Sequence, residues 1–546
     1  MSHDHNHDKM HKKVQERMGS KIDHGALHTR EHQESSRRNF MKNSGLFAVG
    51  SVMLGATGIN ILNPTAEMMS MLTSDCGDRI LVLIRLDGGN DGLNTVVPIT
   101  NDEYYNIRPN IAVTPANCWK LSNSFGMPKT MTDLESMWGD GKMKVVHNVG
   151  YPEQNYSHFR SSDIWASSSD SETVVNSGWI GRMIESNYEA FQNAPPTVPP
   201  ALEIGVQTNL LFRGSQGAMA LSVSNPTEFY QIASTGQLYN PTPADNSEHE
   251  KELSFMRTVA NSAYRYSESI KEAYTTGRNK VQYPEDSYLA EQMSIIARLI
   301  KGKLGTKVYM VSIGGFDTHA NQLNDHPRLV TQLSKCVKAF FEDISEAGLG
   351  PNVLAMTFSE FGRTIFENGS EGTDHGTAAP VLMFGEGLQG NGFVGTPPDL
   401  VNVDQYGDPL FNVDFRSVYA TVLQDWLCVP SSTTEFVLGN AIQKKTGILP
   451  PSSPNTGLNG DDALLGHNPG INGGIDIKYS ITAKGPTKIL LMNQAGSLVR
   501  TFYDGFSESG SFIFNFNPGA YLIQPGNYVY QLQTGGRVYS RKIKIQ

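Results

Sequence analysis

The middle of the chain carries its apolar residues in short, nearly unbroken runs, at 80–86, 143–149, 202–206, 307–313, 353–358 and 380–384. Runs of that length without polar alternation predict strands covered on both faces. Between them the spacing changes. Over 326–347, Leu329, Leu333, Val337, Phe340, Phe341 and Ile344 recur at helical intervals, which predicts an amphipathic helix with Cys336 packed on its apolar side. Over 414–427, Val418, Val422 and Trp426 share a face behind Asp414, a good N-cap residue. Strands alternating with helices predict an α/β sandwich whose central sheet is largely parallel.

Both ends of the chain break this pattern. Residues 445–475 are rich in Pro, Gly, Asn and Ser and read as a linker after an α/β domain over 67–444. Short segments follow at 477–481, 488–492, 498–502, 512–516, 527–533 and 538–545, separated by Gly, Asn and Ser turns. They predict a small β-sandwich over 476–546. At the other end, residues 1–35 are polar and hold seven of the fourteen histidines. That composition reads as an unfolded leader, with loose metal binding as the rival. A basic pair then stands in Ser36-Arg37-Arg38-Asn39-Phe40-Met41-Lys42, ahead of a weakly apolar stretch to Ala66. Gly45, Gly50, Gly55 and Gly58 make that stretch a poor membrane-spanning helix.

Composition removes some function classes. With 44 basic against 54 acidic residues the net charge is -10, which argues against a nucleic-acid binder. A collagen-like, coiled-coil or multi-pass membrane protein is excluded; an enzyme, an adhesin and a binding protein survive. The four cysteines, Cys76, Cys118, Cys336 and Cys428, are too far apart for a C-x-x-C ligand pair. They leave room for one disulfide, which spacing does not assign.

The candidate chemistry sits just after predicted strands, where open α/β sheets bind ligands. Asp87, in Arg85-Leu86-Asp87-Gly88-Gly89-Asn90-Asp91-Gly92, is placed to hold a metal, although Asn90-Asp91-Gly92 is also ordinary turn chemistry. Gly315-Phe316-Asp317-Thr318-His319 offers an Asp and a His that suit zinc or a similar divalent ion, or else an Asp cap beside a surface His. Phe358-Ser359-Glu360-Phe361-Gly362-Arg363 leads to Gly372-Thr373-Asp374-His375-Gly376, the strongest local metal signal. Arg363 could clamp a tetrahedral oxyanion, or pair with Glu360 or Glu367. In Asn155-Tyr156-Ser157-His158-Phe159-Arg160, Ser157 is a helix cap or a nucleophile, and His158 a packed, hydrogen-bonded histidine or a ligand.

Together, Leu86 to Asn94, Ser157-His158-Phe159, Gly315 to His319, Ser359 to Arg363 and Gly372 to Gly376 resemble an uncharacterised family, number fifteen hundred and one among the domains of unknown function. The resemblance covers about residues 79–430. That family is in turn similar to the alkaline phosphatase and sulfatase superfamily, which implies an alkaline-phosphatase-like sandwich and hydrolysis of a small-molecule or glycan ester. Carried over, it implies a divalent metal (Zn, Ca, Mg or Mn) on Asp87, Asp317, His319, Glu360, Asp374 and His375, with Ser157, His158 and Arg363 in catalytic roles. Ser359-Glu360-Phe361-Gly362 stands where many members read Ser-Asp-His-Gly; Glu360 can still ligate, Phe361 cannot, and the resemblance implies Asp374 as the substitute for the ligand lost there. The sulfatase motif C-x-P-S-R is absent, so phosphate is preferred over sulfate. A non-catalytic surface binding protein on the same scaffold is the alternative, and a lyase or transferase the weaker third. The basic pair resembles a twin-arginine export signal. Gly496-Ser497-Leu498-Val499, Gly526 to Tyr530 and Ser540 to Ile545 resemble the C-terminal sorting domain of type IX secretion substrates in Bacteroidetes. Those resemblances imply the two export machineries as partners, a cell-surface or extracellular location, and no stable transmembrane helix in the mature form.

Overall fold

The apolar runs are built into one nine-stranded sheet. Its strands are β1 (Ile80–Asp87), β2 (Met143–Gly150), β3 (Ala201–Glu203), β4 (Leu221–Ser222), β5 (Val308–Gly314) and β6 (Val353–Phe358). After the two-residue strands β7 (Gly362–Arg363) and β8 (His375–Gly376), which pair with each other outside it, the sheet continues with β9 (Ala379–Phe384), β10 (Phe393–Val394) and β11 (Val413–Asp414). The order is β4-β3-β5-β1-β6-β9-β2-β10, with β11 also on β2. Every pairing is parallel except those of β9 with β6 and with β2. The fold is thus α/β with a mixed, mostly parallel central sheet. The structure is a computed structural model. It describes most of residues 78–450, apart from 187–197, 235–263 and shorter breaks at 206–208, 215–216, 219, 265 and 440–441. It also describes most of 463–545 and, near the N-terminus, 52–54 and 57–59.

The core follows from the patterns. Helix α1 (His158–Ser167) enters after β2; α2 (Tyr288–Lys301) and α3 (Gln322–Glu346) flank β5; α4 (Phe415–Thr421) follows β11. Ser287 caps α2 by accepting from the Ala290 N–H, and Asp414 caps α4 by accepting from Arg416. Leu329, Leu333, Cys336, Val337, Phe340 and Ile344 of α3 are buried against the sheet. This helix starts four residues before the apolar period does, because its first turn buries polar Gln322 rather than an aliphatic residue. The run at 202–206 forms a ladder only over Ala201–Glu203, since its edge neighbour is the two-residue β4.

Register decides where chemistry can happen. Gly314 pairs with Asp87 and Phe358 with Arg85, so β5, β1 and β6 end side by side. β2 ends at the same edge and the antiparallel β9 begins there. Five chain segments therefore meet at one rim of the sheet.

The C-terminal unit is all antiparallel, with three strands in one sheet and four in another. Ile477 and Phe516 from one sheet share a core with Ile489, Leu491, Tyr530, Leu532 and Ile543 from the other. One strand, Ala463–Pro469, falls inside the stretch read as linker and pairs with Ile475–Ile481. The His-rich tract and the arginine pair lie outside the described residues; of the apolar stretch behind them, Val52–Leu54 and Thr57–Ile59 pair antiparallel. Cys118 and Cys336 are free and buried, whereas Cys428 is disulfide-bonded. Among the described residues no helix is long and apolar enough to cross a membrane.

Sheet burial leaves one histidine in an apolar box. His147 on β2 stacks on Phe393 at 4.8 Å, lies 5.1 Å from Phe125, and finds no hydrogen-bond partner for Nε2. Burial pushes its pKa down to about 4. An unfolded imidazole gains its proton as pH falls through about 6.5, whereas this one stays neutral, so stability must fall between pH 6.5 and 4. His147 alone should cost on the order of 3 kcal/mol by pH 4. Urea unfolding at pH 7 and pH 4.5 should show a smaller loss in His147→Leu; an identical loss in both proteins would refute the assignment.

Candidate metal centre

The rim loops are held by backbone contacts that demand particular residues. Gly88 leaves β1 at φ +124, and a Cβ there would come within 2.3 Å of the Asp317 nitrogen. Only glycine fits such an approach. Ser359 donates its hydroxyl to Leu86 O at 2.6 Å and accepts from Asn90 N at 3.1 Å. Gln322 accepts from the hydroxyls of Thr318 (3.0 Å) and Thr373 (2.7 Å) and donates to Asp91 (2.5 Å). Asp91 pairs in turn with buried Arg108 at 2.6 Å. The loops after β1 and β5 and before β8 thus share one polar network.

Asp317 stands at its centre. Its Oδ1 lies 2.7 Å from Arg363, 3.2 Å from His375 Nε2 and 3.2 Å from His319 Nε2, and its Oδ2 lies 3.4 Å from His158 Nε2. Burial would raise its pKa, but the three imidazoles and the guanidinium hold it far below the usual carboxylate range. His158, Asp317 and His375 offer ligand atoms within 4.8 Å of one another, the one such trio among the described residues.

The other ring nitrogens are tied off. His375 Nδ1 faces the Tyr156 carbonyl at 3.0 Å, which makes Nδ1 the N–H and leaves a lone pair on Nε2. Burial, with Arg363, His319 and His158 nearby, pushes its pKa down to about 3 against the pull of Asp317, so the ring is neutral. His158 Nδ1 faces Glu360 Oε1 at 2.9 Å. Glu360 Oε1 also accepts the Gly88 N–H, while its buried Oε2 has no hydrogen-bond partner. Burial opposes protonation of His158 and of His319, yet the flanking carboxylates raise both to about 9.

These residues fit a divalent cation. Two imidazole nitrogens and a carboxylate are a zinc-type donor set, and an acceptor on the second nitrogen of each ring is the usual support for metal-binding histidines. The orphaned oxygen of Glu360 adds a buried acceptor beside the site.

The predicted residues divide accordingly. Asp317, His375 and His158 converge; His319 joins through its contacts to Asp317 and to His375 (3.0 Å), and Asp374 holds His319 Nδ1 at 3.1 Å. Glu360 faces His158 Nδ1 rather than standing within the trio. Asp87 is not brought into the trio: Arg85, two residues back on the same strand face, takes its carboxylate at 2.6 Å. Arg363 is fully buried and spent on the carbonyls of Gly88, Gly89, Phe316 and Thr373 and on Asp317, so it faces no oxyanion. Ser157 is buried, starts α1, and makes no side-chain cap bond. Phe361 packs on His375 at 4.4 Å and His158 at 4.8 Å. Sequence reasoning missed Asn368, which donates to His319 O and Asp374, and the Tyr156 carbonyl; a backbone acceptor has no side-chain signature.

A family model described as "Protein of unknown function (DUF1501)" matches residues 78–447. The chain belongs to that family. The rim loops of this DUF1501 protein all fall within the matched span. No curated protein matches it. Among solved structures it is similar to a protein in the alkaline phosphatase superfamily from Vibrio parahaemolyticus, at 9% identity and TM-score 0.30, covering 92% of this chain and 93% of that one. The PsFucS1 sulfatase from Pseudoalteromonas sp. is similar at 10% identity and TM-score 0.29, covering 85% and 89%. The lipoteichoic acid synthase LtaP from Listeria monocytogenes is similar at 8% identity and TM-score 0.27, covering 59% and 69%.

Two substitutions separate the roles in this DUF1501 site. Arg363→Met strands buried carbonyls and should lower stability by about 3 kcal/mol or more, with loss of tight metal, read by denaturation and elemental analysis against the parent chain. Asp87→Asn should leave metal stoichiometry unchanged. Loss of an ion in Asp87→Asn would restore Asp87 as a ligand.

Proposed function

We propose that this DUF1501 protein is an exported, metal-dependent hydrolase of phosphate esters, with sulfate esters less favoured. The observation that carries the reading is the convergence of His158, Asp317 and His375 at the carboxyl rim of the sheet. A divalent ion held by these three would supply Lewis-acid polarisation of the ester. Tyr156 and Glu360 hold the two imidazoles with Nε2 turned inward, and Arg363 fixes Asp317 from behind. His319, partly exposed and anchored on Asp374, is the group placed to hold a proton for the leaving oxygen. The hydroxyl of Ser157 belongs to a residue only 4% exposed, which favours water over serine as the attacking group. Phe361 packs beside both His158 and His375 and offers no ligand atom, which supports one ion rather than two. The same ring is the observation behind the second reading, a scaffold that binds a glycan or metal without turnover.

Export belongs to the same proposal. It is supported by the arginine pair, by the resemblance of the C-terminal sandwich to a sorting domain, and by the disulfide at Cys428, which suits an oxidising compartment.

The test uses the full chain supplied in turn with zinc, calcium, magnesium and manganese, against 4-nitrophenyl phosphate, bis(4-nitrophenyl) phosphate and 4-nitrophenyl sulfate. Asp317→Ala and His375→Ala should each reduce turnover to background with the circular dichroism spectrum unchanged. Glu360→Gln should weaken metal affinity by roughly 10–100-fold, as expected for an orienting partner, and Ser157→Ala should keep most activity. Full turnover in both ligand variants sinks the hydrolase; saturable binding of esters without turnover favours the second reading.

A further inference from the structure

A cavity of about 270 Å³ opens at the first two turns of α3 and shares no lining residue with the His158–Asp317–His375 trio. Its buried polar lining comes from Asn94, Gln322 and His326, all at least nine-tenths buried, and its exposed polar rim from Asn117, Lys129 and Thr130. Val113 and Val330 contribute apolar wall. Among the described residues no acidic one lines it, although the chain as a whole carries a net charge of -10, and the charged one that does is the exposed Lys129. Lys129 makes no ion pair among the described residues, so its charge is available to a ligand.

His326 supplies the decisive feature. Its Nε2 lies 3.1 Å from Asn90 Oδ1 and 3.4 Å from Thr95 Oγ1. The Asn90 oxygen can only accept, so Nε2 carries the N–H and Nδ1 the lone pair. Burial keeps the ring neutral, its pKa pushed down to about 4, with Arg108 and Arg363 adding to the effect against Asp91. Among the described residues no group donates to Nδ1, and Nδ1 is not one of the buried atoms shut off from solvent, so a ligand that brings an N–H or O–H can reach it. Gln322 and Asn94 are already committed to Asp91, Thr318, Thr373, Ile111, Tyr104 and Arg108, so they form a fixed polar wall around that acceptor.

We propose that this cavity binds a small organic anion, with a hydroxyl or N–H donated to His326 Nδ1, an apolar body against Val113 and Val330, and its carboxylate at Lys129. The volume lies just below the ~300 Å³ where drug-sized sites begin, which limits the body to about one ring. The site is separate from the ester chemistry proposed above and stands or falls without it.

Calorimetric titration of the full chain with 4-hydroxybenzoate tests it, using benzoate and 4-hydroxybenzamide as probes lacking the donor and the charge. One saturable site for 4-hydroxybenzoate is expected, with each other probe weaker by about tenfold or more. Lys129→Glu, an exposed change that leaves folding intact, should weaken 4-hydroxybenzoate by a similar factor and leave the amide unaffected. Asp317→Ala should leave all three unchanged. Absence of saturable binding at millimolar probe, equal affinity for the three probes, or loss of binding in Asp317→Ala with Lys129→Glu silent would each overturn the proposal, the last by placing the anion at the metal centre.

Discussion

One buried guanidinium organises the rim of this sheet. Arg363 takes carbonyls from the loop after β1, the loop after β5 and the strand approach to β8, and ends on the Asp317 carboxylate. Burying a charge in this way is unfavourable by several kcal/mol unless hydrogen bonds and an opposite charge offset it, and here both do. A second arginine braces the first. Arg108 accepts no water-facing role: it donates to Asp91 and to the carbonyls of Thr364 and Ile365, the two residues that follow Arg363. Displacing one loop therefore disturbs all of them, which is how side chains from segments far apart in sequence keep a common geometry.

The electrostatics of the trio follow from that brace. Asp317 accepts from the Arg363 guanidinium, and the imidazoles nearest it are split between a neutral ring on the Tyr156 carbonyl and rings drawn toward protonation by carboxylates. Protons and a divalent ion compete for the same lone pairs in such a cluster. Glu360 and Asp374 then act through the histidines they hold, and what each does depends on which competitor is bound.

The six longer runs of the central sheet, the α3 face, the Asp414 cap and the position of every rim loop were legible in the sequence, because apolar periodicity and turn chemistry are local signals, whereas the two-residue strands β4, β7, β8, β10 and β11 carry no such period. The division of labour was not. Arg363 reads as a substrate clamp until its acceptors are seen to be carbonyls, some of them more than two hundred and fifty residues away in the chain. Asp87 reads as a ligand from its place at a strand end, yet the two-residue period of a strand already sets Arg85 on the same face. His158 is ambiguous as a sequence feature, since only the pairing of β2 with β9 brings the start of α1 to the Asp317 loop. The strand at Ala463–Pro469 was hidden by the Gly, Asn and Pro around it.

The reversed strand β9 gives the rim a modular boundary. β6 ends and β9 starts at the same edge, so residues 359–378 leave the sheet and return to it at neighbouring points, zipped by the β7–β8 pair. Glu360, Phe361, Arg363, Asp374 and His375 all ride on that excursion. Exchanging it would move Glu360, Phe361, Arg363, Asp374 and His375 together as a single cassette while the sheet's own ladder stayed untouched, so the rim can change by replacement at two junctions rather than by many separate point changes.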